Sequence, residues 1–202
     1  AGYDQNGTYS GHVAKWSPDD GSNVAYGRVA ESNLRIYDVF SDSSDNVYIS
    51  GWRDGGSGNN ERGQLFKFDS SLTYQFGREN YSTNSSYPTR IWGATFDGTN
   101  LYLAGQTSSS NQGFYYSYDT SGTLRYDYGV IVTYNILRDV AFLGSKQYYV
   151  GKSENTTNDP GFFFGVTDNY TASPSKHIDG GGGYYTNLCG VAARGSNIYV
   201  AG

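Results

Sequence analysis

Cysteine is almost absent from this chain: Cys189 stands alone, which excludes an internal disulfide framework. Its apolar neighbours Leu188 and Val191 predict a buried thiol. Methionine is missing altogether, at position 1 as elsewhere. A small residue at the head of a chain is what signal peptidase leaves behind, so an exported, extracellular or cell-surface protein is expected. No apolar run approaches the roughly 18 to 20 residues of a spanning helix, and no membrane span is expected. Charge is sparse too. The 14 Lys and Arg are scattered and the net charge is −5, which removes the electrostatic footprint of a nucleic-acid partner or an anionic membrane. Histidine occurs only as His12 and His177, each in an expected strand with no nucleophile or paired carboxylate beside it. Gly180 to Gly183 lacks the lysine and the following helix of a phosphate loop. No catalytic set is nominated, no cofactor is required, and a non-enzymatic role is expected.

What the chain does contain is glycine, tyrosine and a repeat. Aromatics make up 17% of the residues, with 21 Tyr and 28 Gly, a composition that suits short strands joined by tight turns. The phrase around Asn46, Val47, Tyr48, Ile49 and Gly51 returns as NLYLAG ending at Gly105, QYYVG ending at Gly151 and NIYVAG ending at Gly202, while Ala1 and Gly2 read as the tail of a further copy. The interval is about fifty residues, the signature of a stacked or circular repeat architecture. Four repeats follow, at approximately 3–51, 52–105, 106–151 and 152–202, within a single domain covering 1–202.

Each repeat reads as four strands. A first strand (35–42, 90–97, 137–144, 188–195) leads through a turn rich in Asn, Gly and Asp to the marker strand. A polar loop, a glycine and a third strand follow, starting after Gly11, Gly63, Gly113 and Gly161. A fourth strand is expected at 24–30, 72–79 and 123–130, and the fourth copy, with Pro174 and Gly180 to Gly183, is eroded there. Four short strands per repeat and no helix predict an all-β, four-bladed β-propeller of four-stranded antiparallel blades. One blade would be completed by N- and C-terminal strands, residues 9–30 pairing with 186–202 either within the chain or between molecules.

The stretches at 37–51 and 92–109 resemble the β-propeller repeat of SBBP type, a family of secreted and surface proteins of bacteria and archaea. The resemblance spans the first two strands of every copy. It departs at Lys152 and Ser153 after Gly151, and in the eroded fourth copy. It implies a propeller and an exported setting, and it implies no activity.

Five Asn-x-Ser/Thr triplets, at Asn6, Asn80, Asn84, Asn155 and Asn169, fall in expected loops and are candidate glycosylation sites. One position of the aligned first strands reads Asp38, Gly93, Asp139 and Gly190. Two carboxylates there could face each other across a channel as a seat for a hard cation, but a strand-start bulge favouring Asp and Gly is the simpler reading, and no metal site is predicted. The acidic turns at 42–46 and 19–22 lack the spacing of calcium loops and read as solvated turns. Tyr81, Tyr87, Tyr115, Tyr116, Tyr184 and Tyr185 lie in or beside expected loops, where tyrosine could meet sugars or protein. The leading expectation is a structural, self-assembling module of a surface layer or filament, with copies of itself or neighbouring surface proteins as partners. The alternative is a lectin-like propeller whose Trp52 and Trp92 stack on glycans.

Overall fold

The computed structural model describes residues 2–3, 9–54, 61–80, 89–107, 112–132, 135–153, 161–167, 176–178 and 187–202. Among these every regular element is a strand, and the strands form five antiparallel sheets. The first holds β1 (Gly2–Tyr3), β2 (Tyr9–Trp16) and β3 (Asn23–Val29). The second holds β4 (Leu34–Ser41), β5 (Val47–Arg53), β6 (Arg62–Phe68) and β7 (Tyr74–Asn80). The third is β8 (Thr89–Phe96), β9 (Asn100–Thr107), β10 (Gln112–Asp119) and β11 (Leu124–Val132). The fourth is β12 (Asn135–Leu143), β13 (Lys146–Ser153), β14 (Gly161–Thr167) and β15 (Lys176–Ile178), whose last strand has only three residues where the fourth copy erodes. The fifth is the hairpin β16 (Gly190–Arg194) and β17 (Asn197–Ala201).

The turns follow a common chemistry. Asp42 accepts the N–H groups of Ser44 and Asn46 through Oδ1 at 2.9 and 3.0 Å, and Asp97 does the same for Thr99 and Asn100 at 2.7 and 2.6 Å. Asp69 and Asp119 repeat the motif in the outer hairpins, bonding Ser71 and Thr73, and Ser121 and Thr123. These are Asx turns, so the acidic stretch at 42–46 closes a hairpin, as the turn reading expected. Positive φ falls at Asp45, Gly98, Gly144 and Gly195 in the four marker hairpins, residues that tolerate the left-handed region.

The marker glycine has a mechanical cause. A bulge in three of the first strands, β4, β8 and β12, shifts the register between Ile36 and Asp38, Ile91 and Gly93, and Leu137 and Asp139. It drives a carbonyl against the neighbouring strand: a Cβ on Gly51 would lie 1.9 Å from the Arg35 oxygen, and one on Gly151 1.7 Å from the Ile136 oxygen. Only glycine fits beneath such a bulge.

Core layers sit between successive sheets. Val13 and Val29 pack with Leu34, Phe66 and Phe68 between the first and second. Tyr48 and Leu65 pack with Ile91, Leu103 and Tyr116 between the second and third, and Tyr102 and Tyr115 pack with Leu137 and Tyr149 between the third and fourth. Each fully buried apolar side chain contributes roughly 1.5 to 3 kcal/mol, so these layers hold the row together. Tyr115 and Tyr116, expected beside a loop, instead occupy adjacent positions of β10 and feed the layers on its two faces.

Two departures concern the ends. The fourth quartet of strands is divided: β16 and β17 sit at one end of the row, β2 and β3 at the other, and among the described residues the expected pairing of 9–30 with 186–202 is not made. Gly2 also stands outside the marker register. Marker glycines pair one residue past the third-strand glycine, as in Gly51 with Gln64, Gly105 with Phe114 and Gly151 with Phe162. Gly2 pairs with Ser10 instead of His12, so the place opposite His12 is not taken by β1.

Candidate functional site

The incomplete ends are the features that the rest of the fold does not satisfy. Position by position, β17 repeats β5 and β2 repeats β6. Yet Tyr199 is 56% exposed where Tyr48 is 0%, and Trp16 is 60% exposed where Phe68 is 0%. On the inner strands Val39 is 59% exposed, while its counterparts Ala94 and Val140 are covered at 7% and 3%. Uncovered apolar positions of this kind, beside unpaired strand edges, mark interaction surfaces. Two clefts of about 330 and 350 Å3 run along this edge between β2 and β4 and share Val13, Ala14 and Val39. A third, of about 320 Å3, is lined by β16, β17 and Asp139 of β12.

A second constellation straps the inner strands together. Asp38 accepts the Val39 N–H at 2.8 Å and, across to the next sheet, the Ala94 N–H at 2.7 Å. Asp139 repeats this with Val140 and, in the end hairpin, Val191, both at 2.8 Å. Gly93 leaves the space: its Cβ would meet the Asp139 Cα and Oδ1 at 2.7 Å. The alternation of Asp and Gly is therefore a set of bulge positions, the simpler of the two sequence readings, in which a carboxylate of one sheet bonds the backbone of the next. Burial pushes the Asp38 carboxyl up to about 6 against these N–H bonds, with a smaller push from the Asp139 charge. Burial raises Asp139 as well. Among the described residues no three His, Cys, Asp or Glu side chains gather as a metal cluster.

The nominated stacking residues are placed differently from each other. Trp52 is buried, with the Arg35 and Arg90 guanidinium groups 4.7 and 4.9 Å from its ring centre, and Arg90 is held by Glu61 in a bidentate pair at 2.6 and 2.5 Å. That is the environment of a packing residue. Trp92 is half-buried in a column at the bulge position, edge-on to Tyr37 at 4.7 Å, under the Arg138 guanidinium at 4.5 Å, and donating to Gln106 Oε1 at 3.0 Å. The structure does not bring the two tryptophans into one platform.

Cys189 takes the same bulge position as Tyr37, Trp92 and Arg138 and is exposed, which corrects the expectation of a buried thiol. Leu188 beside it, also ahead of the first residue of β16, is buried. The signal was in the column: a position holding Tyr, Trp, Arg and Cys is an amphipathic surface rather than core. Of the sequons, Asn80 is the last residue of β7, and Asn6, Asn84, Asn155 and Asn169 lie outside the described residues. Tyr81, Tyr87, Tyr184 and Tyr185 do so too. His12 bonds the Ser10 hydroxyl at 2.7 Å and the Tyr26 hydroxyl, and His177 is the middle residue of β15. No described helix is long and apolar enough to cross a membrane.

The residues that sequence reasoning missed are those of the open edge: Lys15, Trp16, Val39, Tyr199 and Val200. Aligning them with Lys67, Phe68, Ala94, Tyr48 and Ile49 identifies each as a position that is covered, wholly or in part, in a complete sheet. No protein-family model matches the chain, and no curated protein matches it.

Proposed function

We propose that this chain is a non-enzymatic structural module of an extracellular layer or filament, built on a propeller-like arrangement of SBBP-type repeats, which joins to copies of itself through its incomplete sheets. The carrying observation is that the two ends of the row are complementary halves of one repeat, and that Trp16, Val39 and Tyr199 are uncovered where the aligned Phe68, Ala94 and Tyr48 of complete sheets are buried. The carboxylates Asp38 and Asp139 support the non-enzymatic reading, because each spends one oxygen on the N–H of its own strand neighbour and the other on an N–H that ties its sheet to the next. Exported protein of this kind would carry glycans at Asn80 or the other four sequons, which intact-mass measurement on natively produced material checks.

The reading is tested by light scattering behind size exclusion and by electron microscopy over a range of concentrations. Polymers or stacked layers are expected. A strictly monomeric species at high concentration overturns self-assembly, and glycan-array binding abolished by Trp92→Ala would replace it with the lectin-like role.

A further inference from the structure

We infer that the seat between β2 and β4 receives the β16–β17 hairpin of a second copy, in the register used by the complete sheets; this rests on the self-assembly reading and gives it a specific contact. In the second sheet Tyr48 pairs with Lys67, Ile49 with Phe66 and Ser50 with Leu65. Transferred to the ends, Tyr199 pairs with Lys15, Val200 with Ala14, Ala201 with Val13 and Gly202 with His12. The same register recurs between β13 and β14, where Tyr149, Val150 and Gly151 meet Phe164, Phe163 and Phe162.

Three independent features fit this occupant. First, β1 ends its pairing at Ser10, so a strand whose Gly202 stands opposite His12 meets no competitor among the described residues on that edge and is collinear with β1, the place opposite Gly11 lying between them. Second, Lys67 Nζ lies 5.3 Å from the Tyr48 ring centre, and the two ends carry the same pair as exposed Lys15 and exposed Tyr199. Third, the Asp–Gly alternation continues: Gly190 is presented on the open cleft of the hairpin, and Asp38 lines the seat. Docking sets Asp38 of one copy against Gly190 of the other, as Asp139 sits against Gly93 within the chain. Val39 is then covered as Ala94 and Val140 are.

A second copy is the occupant because, among the described residues, the chain's own hairpin is held against β12 and β13 and pairs with neither strand of the seat. Successive copies then add by the same heterologous contact, which propagates as a filament.

The test is disulfide trapping in a Cys189→Ser background, since the native thiol is exposed. Ala14→Cys and Val200→Cys chains, purified separately and mixed under mild oxidation, are expected to give a cross-linked heterodimer at least about tenfold faster than Ala14→Cys with Ile198→Cys. The latter pair is two residues out of register, beyond the Cα separation of about 7 Å that a disulfide bridges. Circular dichroism on each variant confirms that the sheets are intact. Polymers that form without the in-register preference overturn this seat while leaving self-assembly standing. A chain carrying both Ala14→Cys and Val200→Cys that links only to itself, at monomer mass, assigns the seat to the chain's own hairpin and overturns the inference. Absence of both polymers and cross-links overturns it together with the proposed function.

Discussion

The middle of the row and its two ends are written in the same residues and live in different surroundings. Tyr48 and Ile49 of β5 are sealed between sheets, while Tyr199 and Val200 of β17 face solvent. Phe66 and Phe68 of β6 are sealed, while Ala14 and Trp16 of β2 are open. Polarity does not account for this, because the aligned positions keep their apolar character. Position in the row does: a strand is covered only if the sheet carries a partner along its edge and another sheet across its face. The ends thus leave apolar surface uncovered that the middle has already buried, and that surface would drive the association proposed above.

The sharpest way to break the comparison is at the marker glycines. A Cβ on Gly151 collides with the Ile136 carbonyl, and one on Gly202 with the Asn187 carbonyl at 1.9 Å. In the middle β13 is clamped between β12 and β14 and cannot retreat, so Gly151→Ala is expected to cost more than about 3 kcal/mol. At the end β17 has one free edge among the described residues, and Gly202→Ala should cost under about 1 kcal/mol. Denaturant melts of both variants measure the difference; equal losses would mean that the end strand is as constrained as the middle one.

Next in size is the aromatic that the two regions share. Tyr48→Ala empties a buried site and removes the hydroxyl that bonds Asp42 Oδ2 at 3.0 Å, for an expected loss of about 3 to 5 kcal/mol. Tyr199→Ala should change the stability of the dilute chain by no more than about 0.5 kcal/mol while weakening assembly about tenfold or more. Stability at low concentration and polymer onset at high concentration separate the two effects.

How much of this was legible in the residues follows from what repeats report. The interval between Gly51, Gly105 and Gly151 exposed the strand quartets, and the Asp and Gly turns announced the hairpins, because hairpin geometry is local and side-chain specific. The Asp38, Gly93, Asp139, Gly190 series was readable as bulges for the same reason. What spacing does not report is which neighbour covers a strand. Val39 and Val140 look alike in sequence and differ in exposure because coverage depends on long-range placement. Tyr115 and Tyr116 were misplaced because a run of aromatics hides the alternation that separates two buried faces, and Cys189 because apolar neighbours such as Leu188 report their own burial and not that of the residue between them.

The carboxylates offer a pH-based comparison. The folded Asp38 pKa, about 6, lies above the ordinary 3.8, so the folded chain holds a proton that the unfolded chain has released between those values. Its contribution to stability is therefore complete below about pH 4 and is lost as pH rises through about 6. Asp42 runs the other way: hydrogen bonds from Asn46, Ser44 and Tyr48 outweigh burial and hold it below the usual range, so its contribution is lost as pH falls below 4. Asp38→Asn should remove the decline between pH 4 and 6 from a melting-temperature profile. Asp139→Asn, which loosens the strap to Val191, should raise amide exchange across β16 and β17. Identical exchange in both variants would deny that Asp139 fastens the end hairpin.

The smallest effect discriminates best, because it compares one pair of residues in its two settings. Lys67 lies over the Tyr48 ring and also donates to the Thr120 carbonyl at 2.9 Å, so Lys67→Gln loses both interactions within the folded chain, about 1 to 2 kcal/mol. Lys15 and Tyr199 are both exposed at opposite ends of the row, so Lys15→Gln should leave the stability of the dilute chain unchanged. If the ends meet in the repeat register, the same substitution weakens assembly by about 0.5 to 1 kcal/mol, a factor of about 2 to 5 in the critical concentration. Combining Lys15→Gln with Tyr199→Ala should then add nothing beyond Tyr199→Ala alone, since each removes the same contact. Fully additive losses would place Lys15 and Tyr199 in separate contacts and shift the register by which the ends recognise each other.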